Sequence, residues 1–294
     1  MPELPEITSR AREMNKALVG KKISSIEVLQ PRCLNVPAGK FEAALRGAEI
    51  RAVTNRGKWI FAETTRGWLL LNLGMGGEVL LVKGKTLPAK WRLVIRFSDR
   101  TALSINFWWF GYVHYVPAGK LGGHAMTRSL GPNAVDLAPE DLWARIEGRR
   151  GGVKAFLLDQ TRLAGIGNAY VHDILFLAGL HPRRTLNTLD RDDVRKLAAA
   201  IRDGLLPSIK KGGAFYELSL HGKKGGFRKA DILIGYRENE DCPTCGAKIK
   251  KIKTGSTSSF ICPRCQPLKV ARGATRLRVA NGAKGARSAR RGSR

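Results

Sequence analysis

Five cysteines occur in the 294-residue chain, and four of them fall in the pattern C-x2-C-x16-C-x2-C, at Cys242, Cys245, Cys262 and Cys265. Each CxxC pair can turn two thiolates toward one ion, and two pairs complete a tetrahedron, so the spacing predicts one structural Zn2+. A closed four-thiolate site leaves no open position for a reacting ligand, so the metal holds shape. Two disulfides are the alternative, which a reducing compartment disfavours. Between the pairs, KIKKIKTGSTSSFI reads as a β-hairpin turning at TGST, with Lys248, Lys250, Lys251 and Lys253 crowding its first strand. Those lysines are either a solvated face or a surface for a polyanion. Cys33 stands alone in a strand-rich stretch and reads as a buried filler.

Two other stretches carry reactive residue types. The chain begins MPELPE, two prolines and two glutamates in six residues. Taken alone this is an extended, poorly ordered terminus or a device whose purpose lies elsewhere in the chain. Residues 157–184, LLDQTRLAGIGNAYVHDILFLAGLHPRR, read as a helix, a glycine-punctuated turn at Gly165–Gly167 and a second helix opening near Asn168. Helix N-termini expose unpaired amides that suit an anion, and close backbone approach needs glycine. An ordinary turn between two helices is the plainer reading of GIGN.

Charge narrows the partner. The chain holds 52 Lys+Arg against 24 Asp+Glu, net +28, and only nine of those positive charges lie in 266–294, leaving +19 on the rest. A surplus spread over the whole chain favours nucleic acid. No apolar run of about 18 residues predicts a membrane span, and no basic-then-apolar leader opens the chain. A cytoplasmic, nucleoid-associated setting follows, with a nuclear or organellar address left open.

The elements that must position these residues fall into an α+β arrangement. A helix is expected over 5–18, with Ile7, Ala11, Met14 and Leu18 at helical spacing and Gly20 at its end. From 21 to about 117 the dominant period is two, as in WRLVIRF, with a short helix near 39–46; this predicts mostly antiparallel sheet, a sandwich or flattened barrel. The expected units are a β-rich N-terminal sandwich domain (2–120), a linker (121–138), a helical domain (139–230), a zinc-finger hairpin (236–267) and a basic disordered tail (268–294). Helices are expected at 139–148, 153–159, 168–179 and 190–209, the last capped by Asp190 and kinked or broken at Pro207. Residues 211–230 are Gly/Lys-rich and read as a mobile loop.

Taken together, MPELPEI, NRGKWIF, LLDQTRLAGIGNAY and the four cysteines, in that order, resemble the formamidopyrimidine-DNA glycosylase / endonuclease VIII family over residues 2–267. The resemblance implies a helix–two-turn–helix unit and a zinc finger, and the activity of a bifunctional DNA glycosylase and abasic-site lyase. Its substrate would be double-stranded DNA containing oxidised bases or abasic sites, acted on by a monomer. It implies that Met1 is removed and that Pro2 becomes a secondary-amine nucleophile; an α-amino group titrates near ~8, so part of it is neutral at pH 7. Glu3 would be the acid/base group beside it, Glu6 would orient the terminus, and Lys58 would contact the sugar or phosphate at the lesion. Asn168 and Lys154 would grip backbone phosphates. Met75 and Phe110, with Trp109 beside it, would fill the hole left by the flipped nucleotide.

The chain also departs from that pattern. Trp108 and Trp109 stand where many members carry arginines, one of which pairs with the orphaned base. Asp173 stands for a glutamate, the loop 216–230 differs from the guanine-capping version, and Thr257 occupies the place of the finger's phosphate-clamping arginine, with Lys253 nearby as a substitute. These departures keep a second reading open, a damaged-DNA binder that retains the fold without turnover.

Overall fold

The computed structural model describes residues 1–84 and 86–268. The expected basic disordered tail thus lies, from 269 on, outside the described residues. Helix α1 (Leu4–Leu18) begins with Pro5 in its first turn, where a missing N–H costs nothing. Its apolar stripe divides between two cores. Leu4 packs into the core of the helical half, whereas Ile7, Ala11, Met14 and Leu18 pack into that of the sandwich.

The sandwich is built from strands β1 (Ile23–Val28), β2 (Ile50–Arg56), β3 (Trp59–Thr64), β4 (Gly67–Asn72), β5 (Glu78–Lys83), β6 (Leu93–Phe97), β7 (Thr101–Asn106) and β8 (Tyr112–Pro117). One sheet runs β1-β6-β7-β5 and the other β2-β3-β4-β8, antiparallel throughout. A short helix α2 (Ala38–Leu45) lies between β1 and β2 and buries Phe41 and Leu45. The alternation in WRLVIRF holds for Leu93, Ile95 and Phe97, all buried, but Val94 is buried as well.

The segment expected as a linker is itself packed. Leu130 joins Trp59, Phe61, Leu70 and Val116 in a cluster on the outer face of the second sheet, and Arg56 donates to the carbonyls of Leu130 and Gly131.

The helical half comprises α3 (Pro139–Ile146), α4 (Val153–Leu158), α5 (Val171–Leu177) and α6 (Arg191–Lys210). Asp190 caps α6 by accepting from Asp193 N at 2.8 Å. Pro207 neither ends nor breaks this helix; Asp203, whose carbonyl it leaves unpaired, is exposed, so water can satisfy that group. Residues 211–230 are not the open loop expected. Ala214 bridges Phe227, Leu218 bridges Lys224, and Leu220 is fully buried in the sandwich core. Strands β9 (Lys250–Thr254) and β10 (Thr257–Ile261) form the expected hairpin. Its own core consists of Phe176, Ile234, Ile249, Phe260 and the cysteines.

Candidate active site and metal centre

Because α1 starts at the seam between the two cores, Glu3 is carried to the glycine turn before α5. Its Oε2 accepts from Gly167 N at 2.6 Å and its Oε1 from Ala169 N at 2.9 Å. Gly167 is required there: a Cβ on it would lie 2.2 Å from Glu3 Oε1 and 2.5 Å from Lys58 Nζ. Carboxylate and ammonium therefore meet over the same glycine, with Lys58 supplied by the tight turn between β2 and β3. Gly165, at φ +110°, lets the turn approach Leu4. Glu3 is only 4% exposed. Burial pushes its carboxyl up to about 7, against the pull of Lys58 and the two amides.

Glu6 is buried beside it and holds the terminus. It accepts from Glu3 N at 2.9 Å, from the Tyr170 hydroxyl at 2.5 Å and from Ala214 N at 3.0 Å. Pro2 is buried, and Met1 projects into a cleft of about 600 Å3 lined also by Glu3, Lys58, Asn168, Tyr216 and Tyr236. Asn168 lines the same cleft, and its Oδ1 is buried without a hydrogen-bond partner. Glu217, whose carboxyl burial raises to about 7, feels the α-amino group as its main opposing influence.

Lys154 is placed differently from expectation. It is 4% exposed, and its Nζ donates to Thr257 Oγ1 at 3.0 Å, Ser258 O at 2.7 Å and Ser259 Oγ at 2.9 Å. Burial lowers its pKa to about 8. An ammonium saturated by hairpin oxygens is a brace between α4 and the hairpin, and it is not free to grip a phosphate. Met75, Trp109 and Phe110 project outward, at 48%, 64% and 69% exposure. Met75 and Trp109 pair across two short loops, Met75 N donating to Trp109 O at 2.9 Å.

The sulfur atoms of Cys242, Cys245, Cys262 and Cys265 all lie within 4.8 Å of one another. A Zn–S distance of about 2.3 Å puts tetrahedral sulfurs about 3.8 Å apart. The measured Cys242–Cys265 and Cys245–Cys262 separations of 3.8 and 3.4 Å fit one zinc ion.

Three family models match the chain in order. They are the formamidopyrimidine-DNA glycosylase N-terminal domain over residues 1–106, the formamidopyrimidine-DNA glycosylase H2TH domain over 129–219, and the zinc finger found in FPG and IleRS over 239–268. The formamidopyrimidine-DNA glycosylase of Edwardsiella ictaluri is 33% identical over 279 residues, covering 90% of this chain and all of the relative. The chain belongs to the formamidopyrimidine-DNA glycosylase family. Among solved glycosylases of this family, the Lactococcus lactis Fpg in complex with abasic-site DNA superposes with a TM-score of 0.83 at 29% identity, covering 90% of this chain and all of that one. A mutant of that enzyme bound to Fapy-dG-containing DNA gives 0.84 at 28%, covering 91% and all respectively.

Two residues bear on this glycosylase site in ways the sequence did not specify: Asp173, noted there only as a departure from the family's glutamate, and Tyr170. Asp173 accepts from Leu233, Ile234 and Gly235 N at 2.8, 3.0 and 2.9 Å, and so anchors the strap that delivers Tyr236 to the cleft. Tyr170 ties Glu6 to Ser208 on α6. Both contacts join residues far apart in the chain, which no periodicity announces.

Proposed function

We propose that this DNA glycosylase of base excision repair is also an abasic-site lyase, and that Pro2, freed of Met1, is its nucleophile. The observation that carries the reading is the convergence of the first residues of the chain, Glu3 and Lys58 on one cleft over Gly167. The Pro2 nitrogen attacks C1′ of the damaged nucleotide. The C1′–base bond breaks, the departing base taking up the proton that the Pro2 nitrogen gives up, and Glu3 gives its own proton to the sugar oxygen as the ring opens to the iminium. The resulting iminium acidifies the C2′ hydrogen. Glu3, now a carboxylate, takes that hydrogen and the 3′ phosphate is expelled, and a second elimination expels the 5′ phosphate. Lys58 meets the negative charge of the lesion's sugar–phosphate, Glu6 fixes the terminus, and Asn168 contacts the adjacent backbone, a reading supported by Lys58 and Asn168 lining one cleft with Glu3. Met75, Phe110 and Trp109 fill the space vacated by the flipped nucleotide. The zinc ion takes part in no step and supports the hairpin. The substrate class is double-stranded DNA with an oxidised base or an abasic site, bound by one protein chain.

Borohydride trapping on abasic-site duplex tests this. A covalent adduct mapping to the N-terminal peptide, and lost when the α-amine is blocked, is expected. Trapping through an internal lysine alone would overturn the Pro2 assignment. Tight lesion binding with neither adduct nor cleavage would favour the non-catalytic binder.

A further inference from the structure

We propose that Asn72 is a positioning residue that links the loop bearing Met75 to Lys58, so that filling the opened base stack and setting the lysine become one event. The proposal rests on the reading of Met75 as the filler and Lys58 as the lesion contact. Asn72 is the last residue of β4 and is half-buried. Both ends of its side-chain amide are engaged. Nδ2 donates to Lys58 O at 3.1 Å, and Oδ1 accepts from Gly74 N at 3.0 Å. One planar group therefore spans the turn that carries the lysine and the loop that carries the methionine, and it grips that loop one residue before Met75.

Each end of this bridge is stiff, which lets it pass on a displacement. On the lysine side, Gly57 N donates to Asn133 Oδ1 at 2.7 Å. The turn between β2 and β3 is thus held at Gly57 from the segment after β8 and at Lys58 from the Met75 loop. On the loop side, Gly74 sits at φ +56°, and a Cβ there would lie 2.2 Å from Trp109 O and 2.7 Å from Gly111 N. Met75 N donates to Trp109 O at 2.9 Å, and Trp108 N donates to Met75 O at 3.1 Å. The two outward loops are tied into one body, and Gly74 is where that body meets Asn72. Close-packed contacts transmit a shift instead of absorbing it.

Lys58 is a place where a small shift matters. A Cβ on Gly167 would lie 2.5 Å from Lys58 Nζ and 2.2 Å from Glu3 Oε1, so ammonium and carboxylate crowd over one atom. The Lys58 charge is also the largest influence opposing the burial that raises the Glu3 carboxyl. Moving the Lys58 backbone alters both the grip on the lesion and the acidity of Glu3. A misplacement of about 1 Å in such a site costs on the order of 100-fold in rate. The bridge makes full activity conditional on DNA whose stack accepts Met75.

Borohydride-trapping rates at saturating full-length enzyme test this. They are measured on an abasic site in duplex and in single-stranded DNA, which has no paired stack for Met75 to fill. In duplex, Asn72→Ala should slow trapping about 10-fold, the upper size of one ordinary hydrogen bond, and Met75→Ala by a similar factor. The double variant should also be slowed about 10-fold, where independent effects would multiply to about 100-fold. On single-stranded DNA each variant should stay within about 2-fold of wild type, the scatter of additive effects. Asn72→Asp keeps the acceptor for Gly74 N and loses the donor to Lys58 O. It should show the same duplex-selective loss, alone and with Met75→Ala, and it carries the test if Asn72→Ala fails to fold. Multiplying losses in the double variants would overturn the proposal. So would wild-type trapping by Asn72→Asp, or an Asn72→Asp loss of equal size on both substrates, which would make Asn72 a support of Lys58 alone. Adducts from wild type beside any of these results would leave the catalytic reading standing, whereas no adduct from wild type on either substrate would overturn that reading and the proposal with it.

Discussion

In the reaction proposed above, Glu3 donates a proton at one moment and accepts one at another, and its surroundings are balanced for that. Burial favours the neutral acid, while Lys58 and the amides of Gly167 and Ala169 favour the anion, and the balance falls at about 7. The protonated form is the one that assists opening of the sugar ring. Single-turnover excision at saturating enzyme should therefore pass through a maximum near neutrality, falling at higher pH as Glu3 loses its proton and at lower pH as the Pro2 amine gains one, and a pH series from 5.5 to 9 checks this. The same shift has a structural cost. A carboxyl raised above its ordinary 4.5 binds its proton more tightly in the folded state, so the Glu3 contribution to stability is complete below about 4.5 and is lost as pH rises through 7. A damaged base attached to DNA asks for that proton, whereas a preformed abasic site has no base to expel. Glu3→Gln should accordingly lose excision by a hundredfold or more while keeping part of its cleavage of abasic-site DNA, as gel assays of the two substrates would show.

At the scale of elements, several contacts hold the zinc hairpin and the strap before it to the helical half, among them Arg183 to Lys253 O and Gln266 to Leu180 O, and two start from buried charged side chains. Asp173 at the start of α5 gathers three successive amides of the strap, and Lys154 on α4 reaches into the hairpin turn. Asp173→Ala leaves these amides unpaired at about 1–3 kcal/mol each where they are buried. It should lower the melting temperature and expose 233–241 to limited proteolysis while zinc content stays at one ion. From sequence alone, Thr257→Arg looks like the repair of a missing phosphate clamp. The structure reverses that expectation, because Thr257 Oγ1 is 3.0 Å from the Lys154 ammonium, and a guanidinium placed there meets a like charge in a half-buried setting. Thr257→Arg should lower the melting temperature, because it removes one charge-assisted hydrogen bond of about 1.5–3 kcal/mol between α4 and the hairpin, and should not tighten binding to abasic-site duplex. What the sequence made legible follows from the range of each signal. The cysteine spacing, the period-two strands, the Asp190 cap and the GIGN turn are written within a few residues. The inward course of Lys154, the closure of 211–230 through Leu220 and the packing of Leu130 on the outer sheet are pairings across tens of residues, and they leave no local period. Pro207 misled in the opposite way, since its local penalty vanished at an exposed carbonyl.

Across the whole molecule, the net charge of +28 should make DNA affinity steeply salt-dependent, with a log–log slope of about −0.9 for each phosphate neutralised. Deleting 269–294, which removes nine Lys/Arg and no acids, should flatten that slope and weaken binding to undamaged duplex. Single-turnover excision at low salt should remain, and its loss would place the tail in the active site. The position of α1 has a further effect, on the order of events during folding. With Leu4 in one core and Ile7 to Leu18 in the other, the terminus acquires its geometry only when both halves have consolidated. A partly assembled chain would present a basic surface to the chromosome but no poised amine, so incomplete molecules would bind without nicking. In a urea titration, borohydride trapping should disappear with the first half to unfold, before electrostatic retention on undamaged DNA is lost. The seam helix thus acts as a coincidence detector, releasing strand-breaking chemistry only in molecules that have finished folding.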